Sequence, residues 1–138
     1  MKNMKTFFFF AAMILMCGCL GSRQSVSEVN GNWQLVMFPS GTKTLTEIFT
    51  MNKPELKLEN GHISGSTGCN RINGTYTLSG NSIQFGSNMA ITKMGCPNYD
   101  ENIFLDAFNR ANKYQLRDNE LLLMHDSTLL MTFSRASS

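Results

Sequence analysis

From Asn32 to Phe38 the chain reads NWQLVMF, in which Trp33, Leu35 and Met37 alternate with Gln34, Val36 and Phe38. Alternation at period two predicts a half-buried strand, here bounded by Asn30-Gly31 before it and Pro39-Ser40-Gly41 after it. Trp33 on that strand reads as a core anchor. Shorter runs repeat the pattern. Leu56 and Leu58 share a face of ELKLEN, and Asn60-Gly61 predicts a hairpin turn into HISGS. Tyr76 and Leu78 alternate in GTYTLSG, a turn begins at Asn81, and Ile83 and Phe85 follow on one face of SIQFG. MAITKM adds a short strand, and KYQLR, NELLLMH and STLLMTFSR form a meander through turns at Asp118-Asn119 and Asp126-Ser127. Turn signals recurring about every 8–12 residues predict an antiparallel sheet that curls on itself.

One segment breaks this rhythm. PNYDENIFLDAFNRANKY places Ile103, Phe104, Ala107, Phe108 and Ala111 on a single helical stripe. Asp100 is the expected N-cap, and Glu101 in the first turn with Arg110 and Lys113 near the end suits the helix dipole. The expected fold is therefore mainly β with one helix (α+β): a compact curled antiparallel sheet, or small barrel-like β domain, with the helix packed against it.

The first residues carry a different pattern. Lys2 and Lys5 precede an apolar run from Phe7 to Met16, and the run closes on Gly18-Cys19. A basic start followed by an apolar stretch of about 7–15 residues is the pattern of a secretory signal. It is shorter than the roughly 20 apolar residues of a spanning helix. Gly18 before Cys19 resembles a bacterial lipoprotein signal, with Met16 where Leu is usual and Cys17 where a small residue is usual. This implies lipidation of Cys19 and membrane attachment through it; the competing reading is an ordinary cleaved signal. Residues 1–18 then form the signal peptide, residues 19–30 a lipidated cysteine and polar tether, and residues 31–135 the folded domain. Leu20 and Gly21, rather than Asp, follow Cys19, which points toward the outer membrane.

Processing also changes the charge. The full chain has 12 Lys and Arg against 10 Asp and Glu, but Lys2 and Lys5 leave with the signal and the remainder is balanced. A nucleic-acid partner calls for a basic face, so none is expected. Four of the ten methionines also leave with the signal, and the rest sit at apolar strand positions that suggest core filling rather than a soft-metal site.

Candidate chemistry centres on STGCNRINGTY, where Cys69 lies among turn-forming and polar residues. With Cys96 it is one of two thiols left after processing, once Cys19 is lipidated. In an exported domain such a pair reads as a disulfide; free structural thiols and a reactive thiol are the alternatives. From loop-closure entropy the bridge would be worth roughly 3–3.5 kcal/mol. A reactive Cys69 would need a base, and only His62 and His125 are present, neither in a Cys-His signature. No close Cys-Cys pair of a zinc site survives in the mature chain, and no phosphate loop or nucleophile elbow is found. No catalytic residue, metal or cofactor is expected. Asn70 and Arg71 remain as a candidate polar patch.

GCNRINGTY followed by MAITKMGCPN, a helix and YQLRDNELLLMHDSTLLMTF resembles the META domain of the HslJ-like heat-shock proteins, from about Gly31 to Phe133. Gly68-Cys69-Asn70, Asn73-Gly74-Thr75-Tyr76 and Thr92-Lys93-Met94 with Cys96-Pro97 carry the likeness. The resemblance implies a small exported or lipoprotein domain, roles in envelope stress, drug tolerance or secretion, and no catalytic set. It also assigns turn geometry to Gly68, Asn73 and Gly74. The function expected is a noncatalytic envelope lipoprotein that binds or supports an envelope component. The alternative is a carrier of a small hydrophobic ligand, lined by Phe104, Phe108 and the Leu121 to Met124 strand.

Overall fold

The computed structural model describes residues 26–39 and 41–137. The expected signal peptide, Cys19 and the first part of the expected tether lie outside the described residues. Nine strands and three short helices follow in the order α1 (Val26–Val29), β1 (Gly31–Met37), α2 (Leu45–Ile48), β2 (Glu55–Glu59), β3 (His62–Ser66), β4 (Arg71–Ser79), β5 (Ser82–Phe85), β6 (Ala90–Ile91), α3 (Glu101–Arg110), β7 (Lys113–Arg117), β8 (Glu120–His125) and β9 (Thr128–Arg135). Alternation decides the faces: Trp33, Leu35, Leu56, Leu58, Ile63, Ile72 and Tyr76 are buried, while Asn32, Glu55, Lys57, His62, Arg71 and Asn73 between them lie open to solvent or partly so.

Two-residue turns set the register. Glu59 faces His62 across Asn60-Gly61, Arg117 faces Glu120 across Asp118-Asn119, and His125 faces Thr128 across Asp126-Ser127. Asn60 (φ 50°), Asp118 (φ 53°) and Asp126 (φ 53°) take the left-handed conformation that short polar side chains tolerate. The β4–β5 turn begins one residue earlier than expected, at Gly80 (φ 59°), because Ser79 pairs with Ser82.

The strand order β3-β2-β1-β9-β8-β7-β5-β4-β6, with β3 also paired to β4, bends the sheet into a ring. β5 pairs with Tyr76 to Ser79 of β4 and β6 with Ile72 and Asn73, so the two follow one another along successive stretches of that strand. The closure between β5 and β7 is a single residue pair, Ser82 with Lys113, supported by Ile83 N–H to Asn112 O (3.1 Å) and Tyr114 N–H to Asn81 O (2.9 Å). The molecule is thus ring-like rather than a continuous barrel.

Helix α3 lies against β8 and β9. Asp100 caps it as expected, accepting from Asn102 N–H at 3.1 Å. Phe104, Ala107 and Phe108 bury the inner face, and Ala111 is buried as the C-cap. Ile103 departs from the expected stripe and is 44% exposed, because the buried face follows Phe104 and Phe108. Phe108 stacks on Phe85 (4.0 Å between centroids) and on Phe104 (5.8 Å), and Phe49 joins Phe104 to Tyr99 and Phe38. Phe104, Phe108, Leu121 and Leu123 therefore fill the core rather than line an opening, which removes the wall that a hydrophobic-ligand carrier would use.

The folded part starts before Gly31. Val29 is fully buried and its carbonyl accepts from Trp33 Nε1–H at 2.9 Å. Arg135, on the last strand, donates to Asn30 O and Glu28 O (both 2.8 Å) and lies over the Trp33 ring at 4.3 Å. This clasp draws residues 26–30 out of the expected tether and into the domain.

Candidate functional site

The turn between β3 and β4 is organised by one hydroxyl. Thr67 is fully buried, and its Oγ1 accepts from Asn70 N–H (3.0 Å) and Cys69 N–H (3.3 Å), while its own N–H bonds Asn70 O at 2.9 Å. Gly68 sits at φ 99°, where a Cβ would come within 2.5 Å of Asn52 O. A side chain is excluded there on both counts. Cys69, presented by this turn, is joined to Cys96 in a disulfide with Cα atoms 6.0 Å apart. Of the readings open for the two thiols, the bridge is the one found.

Asn70 fastens the two bridged segments together. Only 1% exposed, it accepts through Oδ1 from Met94 N–H (2.7 Å) and Thr92 Oγ1–H (2.9 Å). Its Nδ2 donates to Glu101 Oε2 (2.9 Å) and Met94 O (3.3 Å), with Cys96 Sγ at 3.4 Å. Thr92 Oγ1 also accepts from Arg71 N–H at 2.9 Å. The Glu101 carboxylate accepts from Thr67 Oγ1–H and from Asn70 N–H (3.3 Å) as well. Tyr99 O–H donates to Thr67 O at 2.7 Å. Burial, reinforced by Glu101 and Asp100, pushes its phenol well above the ordinary tyrosine range. Low local dielectric strengthens such a saturated network and raises the cost of breaking it.

The expected Asn70–Arg71 patch therefore divides. Asn70 points inward and is wholly committed to the network, while Arg71 opens to solvent on the first residue of β4. Arg71 borders a concavity of about 670 Å³ on the outer face of β1–β4, with Gln34, Lys53, Glu55, Ser66 and Asn73. His62 is exposed on β3, and His125 bonds Arg110 O through Nδ1 at 2.8 Å; neither is a partner of the disulfide network. No group of three or more His, Cys, Asp or Glu side chains suited to a metal is found among the described residues.

Two further expectations are corrected. Asn73 and Gly74 lie inside β4, paired with Ser64 and Ile63, and form no turn. A Cβ on Gly74 would come within 2.2 Å of Met89 Sδ, so the glycine admits a close neighbour. Among the methionines Met131 fills the core, but Met51 and Met94 are exposed.

Sequence reasoning missed Thr67, Thr92, Tyr99 and Glu101 as members of the network. Glu101 was legible as a first-turn acid, and that role concealed its second one. It also missed α2, although Thr44-Leu45-Thr46-Glu47 is a capping-box pattern. Glu47 accepts from Thr44 N–H at 2.6 Å, and this bond is the main reason its carboxyl is held below the ordinary range.

Comparison with protein families matches the META domain over residues 25–138. No curated protein matches the chain. Among solved structures, a protein from Burkholderia xenovorans determined by NMR is 24% identical, with a TM-score of 0.59 over 82% of this chain and 87% of that one. A second NMR structure is 21% identical, with a TM-score of 0.61 over 81% and 95%. A DUF4847 family protein from Bacteroides vulgatus ATCC 8482, determined by crystallography, is 20% identical, with a TM-score of 0.61 over 83% and 99%. These likenesses show a shared fold.

Proposed function

The chain belongs to the META domain family, and on that premise we propose that it is a noncatalytic cell-envelope lipoprotein, held to the membrane through a lipidated Cys19. Its domain is a binding or structural module for another envelope component, in envelope stress or secretion. The observation that carries this reading is the Cys69–Cys96 disulfide fastened by Asn70. Such bridges persist in oxidising compartments, in keeping with the export pattern of Lys2, Lys5 and the apolar run ending at Gly18-Cys19. Both thiols are consumed in the bridge, and Glu101, the carboxylate beside it, is occupied by Thr67 and Asn70. Groups that could have done chemistry hold two loops together instead.

The test is metabolic labelling with palmitate, followed by membrane fractionation. Wild type is expected to label and sediment with the outer membrane, and Cys19→Ala to do neither. Equal labelling of the two proteins overturns the anchor. Two free thiols in the exported protein, found by non-reducing mass spectrometry, would remove the observation on which the compartment rests.

A further inference from the structure

Cross-strand pairing aligns Gln34, Glu55, Ser66 and Arg71 in one row over four strands, with Gln34 opposite Glu55, Glu55 opposite Ser66 and Ser66 opposite Arg71. The neighbouring row brings Ser64 opposite Asn73. Period-two alternation turns these side chains to the outer face, and together with Lys53 they border the concavity of about 670 Å³. Its floor includes Gly65, where a Cβ would come within 2.0 Å of Glu55 O. Only glycine lets β2 and β3 approach so closely there.

Charges on this face are unevenly satisfied. Lys57 is paired with Glu59 at 3.0 Å, and Glu55 accepts from Gln34 Nε2–H at 2.8 Å. The Arg71 guanidinium and the Lys53 ammonium make no ion pair or hydrogen bond among the described residues. Arg71 is also pre-positioned: its backbone N–H is held by Thr92 Oγ1 at 2.9 Å, and its neighbour Asn70 is locked beside the disulfide. A guanidinium carried on a held backbone loses little backbone freedom on binding and offers a planar fork matched to carboxylate or phosphate oxygens. The hydroxyls of Ser64 and Ser66 and the amide of Asn73 supply neutral donors and acceptors beside it.

We propose that this concavity binds a small, hydroxyl-rich molecule carrying one oxyanion, a carboxylate or a phosphate, with Arg71 and Lys53 on the anion and Ser64, Ser66 and Asn73 on the hydroxyls. The proposal rests on the reading of the domain as a binding module and names the chemistry it would bind. Its position on the outer face of β1–β4 leaves the filled core untouched.

The experiment is a titration of the isotope-labelled full chain in detergent, followed through its backbone amide signals. Glucuronate, glucose 6-phosphate, inorganic phosphate and glucose are the probes. Saturable shifts at Ser64, Ser66, Arg71 and Asn73 are expected with glucuronate or glucose 6-phosphate, and whichever binds tighter tells carboxylate from phosphate. Inorganic phosphate should bind more weakly at the same amides, and glucose should not shift them. Arg71→Gln is expected to weaken binding about tenfold or more, as loss of a charged hydrogen bond does, and Lys53→Gln to weaken it by a smaller factor. Both variants should keep the wild-type melting temperature, since neither side chain is used within the fold. The proposal is overturned if neither anion gives saturable shifts, if glucose matches glucuronate, or if both variants bind as wild type. Palmitate labelling of Cys19 reads membrane attachment independently, so either result can fail without the other.

Discussion

Two regions of the ring are held together in different ways. At the β3–β4 turn, the disulfide and a buried polar network join Thr67–Arg71 to Thr92–Cys96 and to the first turn of α3. At the β5–β7 seam, one residue pair and two adjacent backbone bonds hold the strands, and Phe85 stacked on Phe108 covers the gap. Polar networks depend on every member being satisfied, whereas an aromatic contact tolerates small displacements. The first region is built for precision and the second for continuity of the core.

Asn70→Ala tests that difference most severely. It strips donors and acceptors from Glu101, Thr92 and Met94 inside a buried site, and a loss of about 3–5 kcal/mol is expected in denaturant unfolding. A loss below about 1 kcal/mol would show that water replaces the amide without penalty. Removing the disulfide with Cys69→Ala and Cys96→Ala together should cost about 3 kcal/mol. Because Asn70 and the bridge fasten the same two segments, combining the changes should cost less than their sum; strict additivity would mean that the two act independently.

At the seam, Phe85→Leu should cost about 1–2 kcal/mol from lost stacking and area. Hydrogen exchange should quicken at the Ile83 and Tyr114 amides and stay unchanged at Met94. Quickened exchange at Met94 would show that the two regions open as one unit.

The smallest effect separates the regions by pH. Burial raises the phenols of both Tyr99 and Tyr114, and at Tyr99 the nearby Glu101 and Asp100 add to it. The stability these groups contribute is fully present below the ordinary tyrosine value of about 10 and is lost as pH rises above it, because the unfolded chain releases those protons first. Tyr99→Phe should cost about 1 kcal/mol at neutral pH through its bond to Thr67 O, and should flatten the alkaline decline. An unchanged decline in Tyr99→Phe would assign the effect to Tyr114.

Much of this was readable along the chain. Period-two runs marked the strands, Asn60-Gly61, Asp118-Asn119 and Asp126-Ser127 marked the hairpins, and Asp100 marked the start of α3. Each is a local property, set by side-chain alternation or by one turn's backbone. The disulfide was also legible, since Cys69 and Cys96 are the two cysteines outside the N-terminal segment. Asn70 was harder: beside Arg71 in a polar turn it looked like half of a surface patch, and burial separated the two.

What the sequence determined alone was therefore which faces turn inward and where the chain reverses. Tertiary structure decided who meets whom across long separations. Thr67 reaches Glu101 over 34 positions, and Arg135 reaches Asn30 over 105, drawing the polar segment before β1 into the fold. It also decided that Arg71 would end a row assembled from four strands, its guanidinium unpaired among the described residues. No local pattern specifies such meetings, because a buried amide or a clasping guanidinium accepts whatever partner the closed ring brings within hydrogen-bonding distance.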